Sequence, residues 1–296
     1  MTDARQRAKD QISLDQVTDW WSTAISDIEP GVIRLRGYPI EQLLRTRTSF
    51  VEMIWLMLRG EVAEPAQASL LELALVAAVD HGPQAPSIAA ARMAMTCGVG
   101  INNAVATGVN LLGDVHGGAG KQCMELLLDV RERAGSAVAA PGADRAVADA
   151  VAEVIAEHRA ARRYLPGFGH RFHPRDPRRD PLLSAVEDQV RAGNVDGGFL
   201  RIAQEIERQL EQGHSKPIPM NIDGATAVIY TELGFDPELG RGLFILSRSV
   251  GILTHASEQQ REGRRIKGPI PPPLLPSYHG EPLRNLIPHP AGPDAT

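Results

Sequence analysis

The sequence predicts an all-α fold, on three observations. Aromatic residues make up 4 % of the 296 positions, while Ala, Leu and Val abound; that composition favours closely packed helices over an aromatic-rich β-sandwich. Apolar residues recur with helical period along most of the chain. No alternating strand–helix rhythm is present, so a parallel sheet is not expected.

Taken in order, the first element is the one strand expected, over residues 31–38, where Val-Ile-Arg-Leu-Arg alternates apolar and basic side chains. Ser49 is placed to cap a helix over 50–58 in which Phe50, Ile54, Met57 and Leu58 share a face. A helix over 65–79 begins on Pro65, a residue suited to the first turn. After Gly-Pro-Gln-Ala-Pro come helices over 87–97 and 101–112, the second rich in Gly and Ala, as expected where helices approach closely. Further helices are predicted over 121–134, 143–161, 181–192, 198–212 and 236–257. From residue 268 the Pro-rich sequence reads as a tail without helix potential.

Composition narrows the function. Hydrophobic residues are 43 % and charged residues 23 % of the chain, an ordinary globular balance. A net charge of −5 argues against a general nucleic-acid binder, so an anionic ligand requires a local basic pocket. Cys97 and Cys123 lie in apolar helical patterns and read as reduced, buried thiols of a cytoplasmic protein. The first ten residues lack the apolar core of a secretory signal. The best apolar run, over 70–79, is about half the length needed to span a bilayer. A soluble protein without membrane partners is expected.

Three segments are unusual for helices that only pack. The first runs from Gly113 to Lys121 and contains His116-Gly117-Gly118. A phosphate-loop reading fails, because position 115 is Val, position 122 is Gln, and no strand precedes it. What remains is a His at a helix start, where the dipole favours a neutral imidazole able to donate to a developing oxyanion. The second segment, from Leu165 to Arg179, is a non-helical loop with His170, His173 and four Arg: Arg171, Arg175, Arg178 and Arg179. Guanidinium forks suit a polyanionic substrate. No carboxylate or Cys stands at ligand spacing to His170 and His173, so no metal site is expected. The third is Asn221-Ile222-Asp223, where Asp223 alone reads as a helix N-cap. His81, in Asp80-His81-Gly82-Pro83, closes another helix, where its charge suits the dipole.

Together and in this order these segments resemble the citrate synthase family, from about Gly31 to Arg265. Arg36-Gly37-Tyr38-Pro39-Ile40-Glu41-Gln42-Leu43 is similar to its early signature, and His116-Gly117-Gly118-Ala119 to its first catalytic histidine motif. Pro166-Gly167-Phe168-Gly169-His170-Arg171, with Asp176-Pro177-Arg178, is similar to the second. Asn221-Ile222-Asp223 resembles the Asn-Val-Asp of the catalytic aspartate, and Ser247-Arg248-Ser249 the later arginine segment.

The resemblance implies a two-domain helical subunit, a homodimer or homotetramer. Residues 1–116 and 230–296 would form the large domain and 117–229 the small one. It implies Asp223 as base or acid at carbon, His116 as donor to the enolate oxygen, and His170 as the group exchanging the proton of the carbonyl or hydroxyl. His81, Arg171, Arg178 and Arg248 would bind substrate carboxylates. Coenzyme A, as part of the substrate and not a bound cofactor, would lie along Pro166, Gly167, Phe168 and Gly169. Synthases read His-Glu-x-x-Asn at the substrate-binding histidine; His81-Gly82-Pro83 instead resembles the citryl-CoA lyase module of ATP-citrate lyase and its stand-alone relatives. Cleavage of citryl-CoA to acetyl-CoA and oxaloacetate is therefore the expected reaction. The alternatives are citrate or 2-methylcitrate synthesis, cleavage of another branched hydroxyacyl-CoA, and a non-catalytic CoA- or citrate-binding regulator. Gly268-Pro269 stands where the family has an Arg-Pro that reaches the partner subunit, leaving Arg264 or Arg265 as substitutes.

Overall fold

The computed structural model describes residues 20, 22–135, 138–140, 142–169, 174–213, 217–263, 265–266, 274, 277–284 and 286. The expectations for His170, Arg171, Arg264 and most of the tail from 268 lie outside the described residues. The described chain is mainly helical, as expected.

The expected single strand is instead a small antiparallel sheet of β1 (Ser26–Glu29), β2 (Val32–Leu35) and β3 (Tyr38–Pro39). Arg36 and Gly37 both have positive φ, 48° and 84°, so residues 31–38 fold as strand, tight turn and returning strand.

The helices follow as α1 (Ile40–Arg45), α2 (Phe50–Arg59), α3 (Pro65–Ala78), α4 (Pro86–Thr96), α5 (Ile101–Asn110), α6 (Ala119–Ala134), α7 (Asp144–Ala160), α8 (Arg179–Arg191), α9 (Gly198–Gly213), α10 (Ile222–Glu232) and α11 (Pro237–Glu262). Ser49 caps α2 as expected: its hydroxyl accepts from the Glu52 N–H at 3.2 Å, and the Glu52 carboxylate accepts from the Ser49 N–H at 2.6 Å. Helix α1 had no counterpart in the periodicity, being little more than one turn. Helix α11 runs past the expected end at 257, to a left-handed cap at Gly263. Cys123 is buried, but Cys97 is exposed, contrary to expectation. It is the C-cap of α4 and stands after the last turn that packs.

The main core joins α2 and α3 (Trp55, Leu70, Leu71) to α6 (Met124, Leu127), α9 (Ile202, Ile206), α10 (Val228, Ile229) and α11 (Leu243). Each fully buried Leu or Ile contributes about 2 kcal/mol. From Gly224 to Thr231 every residue of α10 is buried, so this helix is apolar around its circumference and runs through the core. A second cluster joins α4 and α5 to α11 through Ile88, Ala91, Ala104, Ile252 and Ala256. A Cβ on Gly108 would stand 2.7 Å from Ile252 and 2.8 Å from the Ser87 carbonyl, so the Gly/Ala-rich α5 does permit close approach.

Candidate active site

His116 precedes α6 by three residues, and its neutral form is fixed by a different helix. The backbone N–H of Ser87, in the first turn of α4, donates to His116 Nε2 at 3.2 Å, and the Ser87 hydroxyl lies 3.0 Å from the same nitrogen. An Nε2 that accepts leaves the ring hydrogen on Nδ1. Burial pushes the imidazolium pKa down, and the Arg248 charge adds to the effect. The result is a neutral ring with an Nδ1–H donor. The adjacent glycines have a steric cause: a Cβ on Gly117 would meet the Phe244 ring at 2.8 Å, and one on Gly118 would meet the Asp114 backbone at 2.4 Å.

The carbonyl end of α3 gathers cations. Its last carbonyls lack helical partners, and side chains supply them. Ser247 donates to the Leu75 carbonyl, Arg248 Nε to Ala78 O at 3.1 Å, and Arg178 Nη1 to Ala77 O at 3.4 Å. Arg248 is buried, with its guanidinium 4.9 Å from the Phe244 ring centroid. Burial depresses its pKa, while Asp80 and Asp223 offset part of that cost. Beyond this helix end, Asp80 Oδ2 accepts from the Gly82 N–H at 3.2 Å, and Gly82 takes a left-handed φ of 83°.

Arg178 is held by a carboxylate that the sequence reading left without a role. Asp176 is buried and grips Arg178 with both oxygens, at 2.9 Å to Nε and 2.8 Å to Nη2. Burial alone would raise the Asp176 pKa, but Arg178 and the Ile222 N–H together hold it down at about 2. That N–H, donating at 3.1 Å, is the first of α10.

Asp223 stands in the first turn of α10, and it is not the cap. Asn221 is: its Oδ1 accepts from the Asp223 N–H at 2.9 Å and the Gly224 N–H at 3.3 Å. The Asn221 side chain also donates to the Gly169 carbonyl at 2.7 Å, and its backbone N–H to the Gly167 carbonyl at 2.9 Å. Phe168 and Met220 bridge in antiparallel fashion, so the Pro166–Gly169 stretch is laid against the start of α10. Burial pushes the Asp223 carboxyl up; Arg178 and Arg248 oppose that shift and Asp176 reinforces it. A Cβ on Gly120 would stand 4.0 Å from Asp223 Oδ1, which puts the start of α6 beside this carboxyl.

The structure thus brings His116, Asp223, Arg178 and Arg248 into one electrostatic group. Gly167 and Gly169 border it through α10, and His81 follows Asp80 on the adjoining loop. Three residues that hold others in place have no individual role in the sequence motifs: Ser87, Asp176 and Asn221. Asp176 stood two positions before an Arg, and Asn221 two before an Asp; either spacing suits a local side-chain bond.

The family description "Citrate synthase, C-terminal domain" matches residues 57–269, and the chain belongs to the citrate synthase family. The citrate synthase of Acidithiobacillus ferridurans is 30 % identical over 240 residues, covering 78 % of this chain and 55 % of that protein. The chain spans about half the length of the curated relatives it matches. Among solved structures, citryl-CoA lyase from Hydrogenobacter thermophilus superposes with a TM-score of 0.75 at 29 % identity, covering 90 % of this chain and 97 % of that one. ATP citrate lyase from Methanothrix soehngenii, in complex with citrate and coenzyme A, shares the fold at a TM-score of 0.73 and 21 % identity, over 88 % of this chain and 42 % of that one.

Proposed function

We propose that the protein cleaves citryl-CoA to acetyl-CoA and oxaloacetate. The observation that carries the direction is the His81-Gly82-Pro83 loop. With φ of 83° at Gly82, a side chain there is strained, and the Glu of a synthase-type His-Glu would not adopt this turn readily. The likeness to citryl-CoA lyase over nearly all of that chain supports the same reading.

In this mechanism, Arg178, Arg248 and His81, with Arg171, hold the carboxylates of the citryl group. His170 takes the hydroxyl proton as that oxygen becomes the ketone of oxaloacetate. The adjoining carbon–carbon bond breaks, and its electron pair passes into the thioester as an enolate. The Nδ1–H of His116 donates to the enolate oxygen. Asp223 returns a proton to the carbon, a task helped by a carboxyl whose proton is held above the ordinary range. Coenzyme A lies along Pro166 to Gly169, and no tightly bound cofactor takes part.

The two-domain division at 116/117 and 229/230 belongs to the same proposal, with closure excluding water from the enolate. So does a cytoplasmic homodimer or homotetramer. Leu246, Val250 and Leu253 form an exposed apolar stripe on α11 that suits a subunit contact.

A second reading, condensation of acetyl-CoA or propionyl-CoA with oxaloacetate, is favoured by the identity to curated citrate synthases. Two assays separate them. Oxaloacetate formed from citryl-CoA supports the lyase. Rapid free-thiol release from acetyl-CoA plus oxaloacetate, with no cleavage of citryl-CoA, overturns it.

A further inference from the structure

We propose that His255 is a positioning residue that acts through Asp80 to hold the His81 loop for binding a substrate carboxylate, an inference that rests on the functional reading above. Helix α11 grips residues 75–80 along one face, turn after turn. Ser247 and Arg248 bind the Leu75 and Ala78 carbonyls. One turn on, Gly251 lies so close that a Cβ would be 2.3 Å from the Val79 carbonyl and 3.0 Å from Asp80 Oδ1. One turn further, His255 Nε2 lies 3.3 Å from Asp80 Oδ1.

The hydrogen on His255 is fixed from its other side. Arg92 Nη1 lies 3.1 Å from His255 Nδ1 and also donates to Glu258 at 2.5 Å. A guanidinium has no acceptor, so Nδ1 accepts and Nε2 carries the hydrogen toward Asp80. Asp80 is then held at both oxygens: Oδ1 by His255, and Oδ2 by the Gly82 N–H that closes the left-handed turn. His81 stands between those two anchors. The Asp80 side chain is 45 % exposed, so a second donor decides whether it keeps one geometry or samples several. The same carboxylate also stabilises the Arg248 charge, which couples His255 to the cation already placed in the site.

The test compares His255→Leu with His255→Gln, whose amide places a donor near the position of Nε2. In the Leu variant, KM for citryl-CoA should rise about tenfold, the size of one charge-assisted hydrogen bond, with kcat within about twofold of wild type. Amides of residues 79–85 should exchange hydrogen faster. The Gln variant should restore both, and adding His255→Leu to an Asp80→Asn variant should raise KM no further. An unchanged KM and unchanged exchange in the Leu variant would overturn the inference. So would equal losses of kcat and melting temperature in both variants, because those report folding alone. If the wild type turns over neither citryl-CoA nor acetyl-CoA with oxaloacetate, the functional reading is what fails. Hydrogen exchange at 79–85 then decides the loop: faster exchange in Leu and recovery in Gln support positioning by His255, and unchanged exchange overturns it.

Discussion

The carbonyl end of α3 and the amide end of α10 meet at one site, joined by the Arg178–Asp176 pair, and they are satisfied in opposite ways. At α3, the free carbonyls are taken by Ser247, Arg178 and Arg248. The guanidiniums are anchored, with further N–H groups left for other acceptors. At α10, the first amides are taken by Asp176 and Asn221. A helix N-terminus normally favours an ionised carboxylate, yet here its donors are already occupied. Among the described residues, none donates a hydrogen bond to the Asp223 carboxyl. Two carboxylates at one helix end therefore diverge: Asp176 falls to about 2 and Asp223 rises. Such divergence is what the proposed mechanism requires, with Asp176 structural and Asp223 the reacting acid.

The largest effect follows from the raised member. Asp223→Asn should cut turnover of citryl-CoA by ~10³-fold, the usual scale of lost general acid–base catalysis. The same change should make the fold more stable at pH 7. A carboxyl whose folded pKa is raised binds its proton more tightly folded than unfolded. Its stabilising contribution is present below the unfolded pKa and is lost as pH rises through the folded one. At neutral pH the wild type thus bears a cost that Asn does not. Denaturant titration should show the gain at pH 7 shrinking toward pH 4. A variant less stable than wild type at pH 7 would break the comparison, since it would mean that the Asp223 carboxylate is held by partners.

A second test concerns the Pro166–Gly169 stretch laid against α10. Gly167 and Gly169 both have positive φ, 85° and 80°. A Cβ on Gly167 would meet Cys123 Sγ at 2.5 Å and Gly224 Cα at 2.9 Å, whereas one on Gly169 would meet only Ile218, at 3.4 Å. Gly167→Ala should therefore cost about 3 kcal/mol, from strain plus overpacking, and Gly169→Ala about 1 kcal/mol, from strain alone. Equal costs by chemical denaturation would show that the close packing against Cys123 carries no energy.

The fold was legible because helical periodicity and caps are local. Ser49 with Glu52, and Pro65 at a first turn, announce their helices within four residues. Within the three-stranded sheet over 26–39, the alternation over 31–38 predicts one strand, because a left-handed Arg36 leaves no compositional mark beside Gly37. At the site, ordered motifs single out His116 and Asp223, but not what tunes them. The neutral His116 was expected from its own helix start. Its hydrogen is instead placed by Ser87, on another helix and 29 residues away, a contact that periodicity does not encode. Asp223 alone reads as a cap because Asp is a common capping residue; Asn221 takes that place and leaves Asp223 without a donor among the described residues. Asp176 went unassigned because its partner at the start of α10 lies 46 residues downstream.

The smallest effect tests the lowered member. Asp176 has a folded pKa of about 2, below the unfolded value of about 3.9. Between these values the unfolded chain binds more protons, so stability rises with pH across that window. The contribution is complete above about pH 4 and is lost as pH falls toward 2, about 2 kcal/mol in all. Asp176→Asn should remove that acid-side slope and lower stability at pH 7 by a similar amount, opposite in sign to Asp223→Asn. Because Arg178 loses its bidentate partner, KM for citryl-CoA should rise as well. Titrations at pH 7, 5 and 3 check the slope. An Asn variant that keeps the wild-type loss between pH 4 and 2 would assign that loss to another carboxylate, leaving Asp176 a hydrogen-bond acceptor whose charge carries no weight.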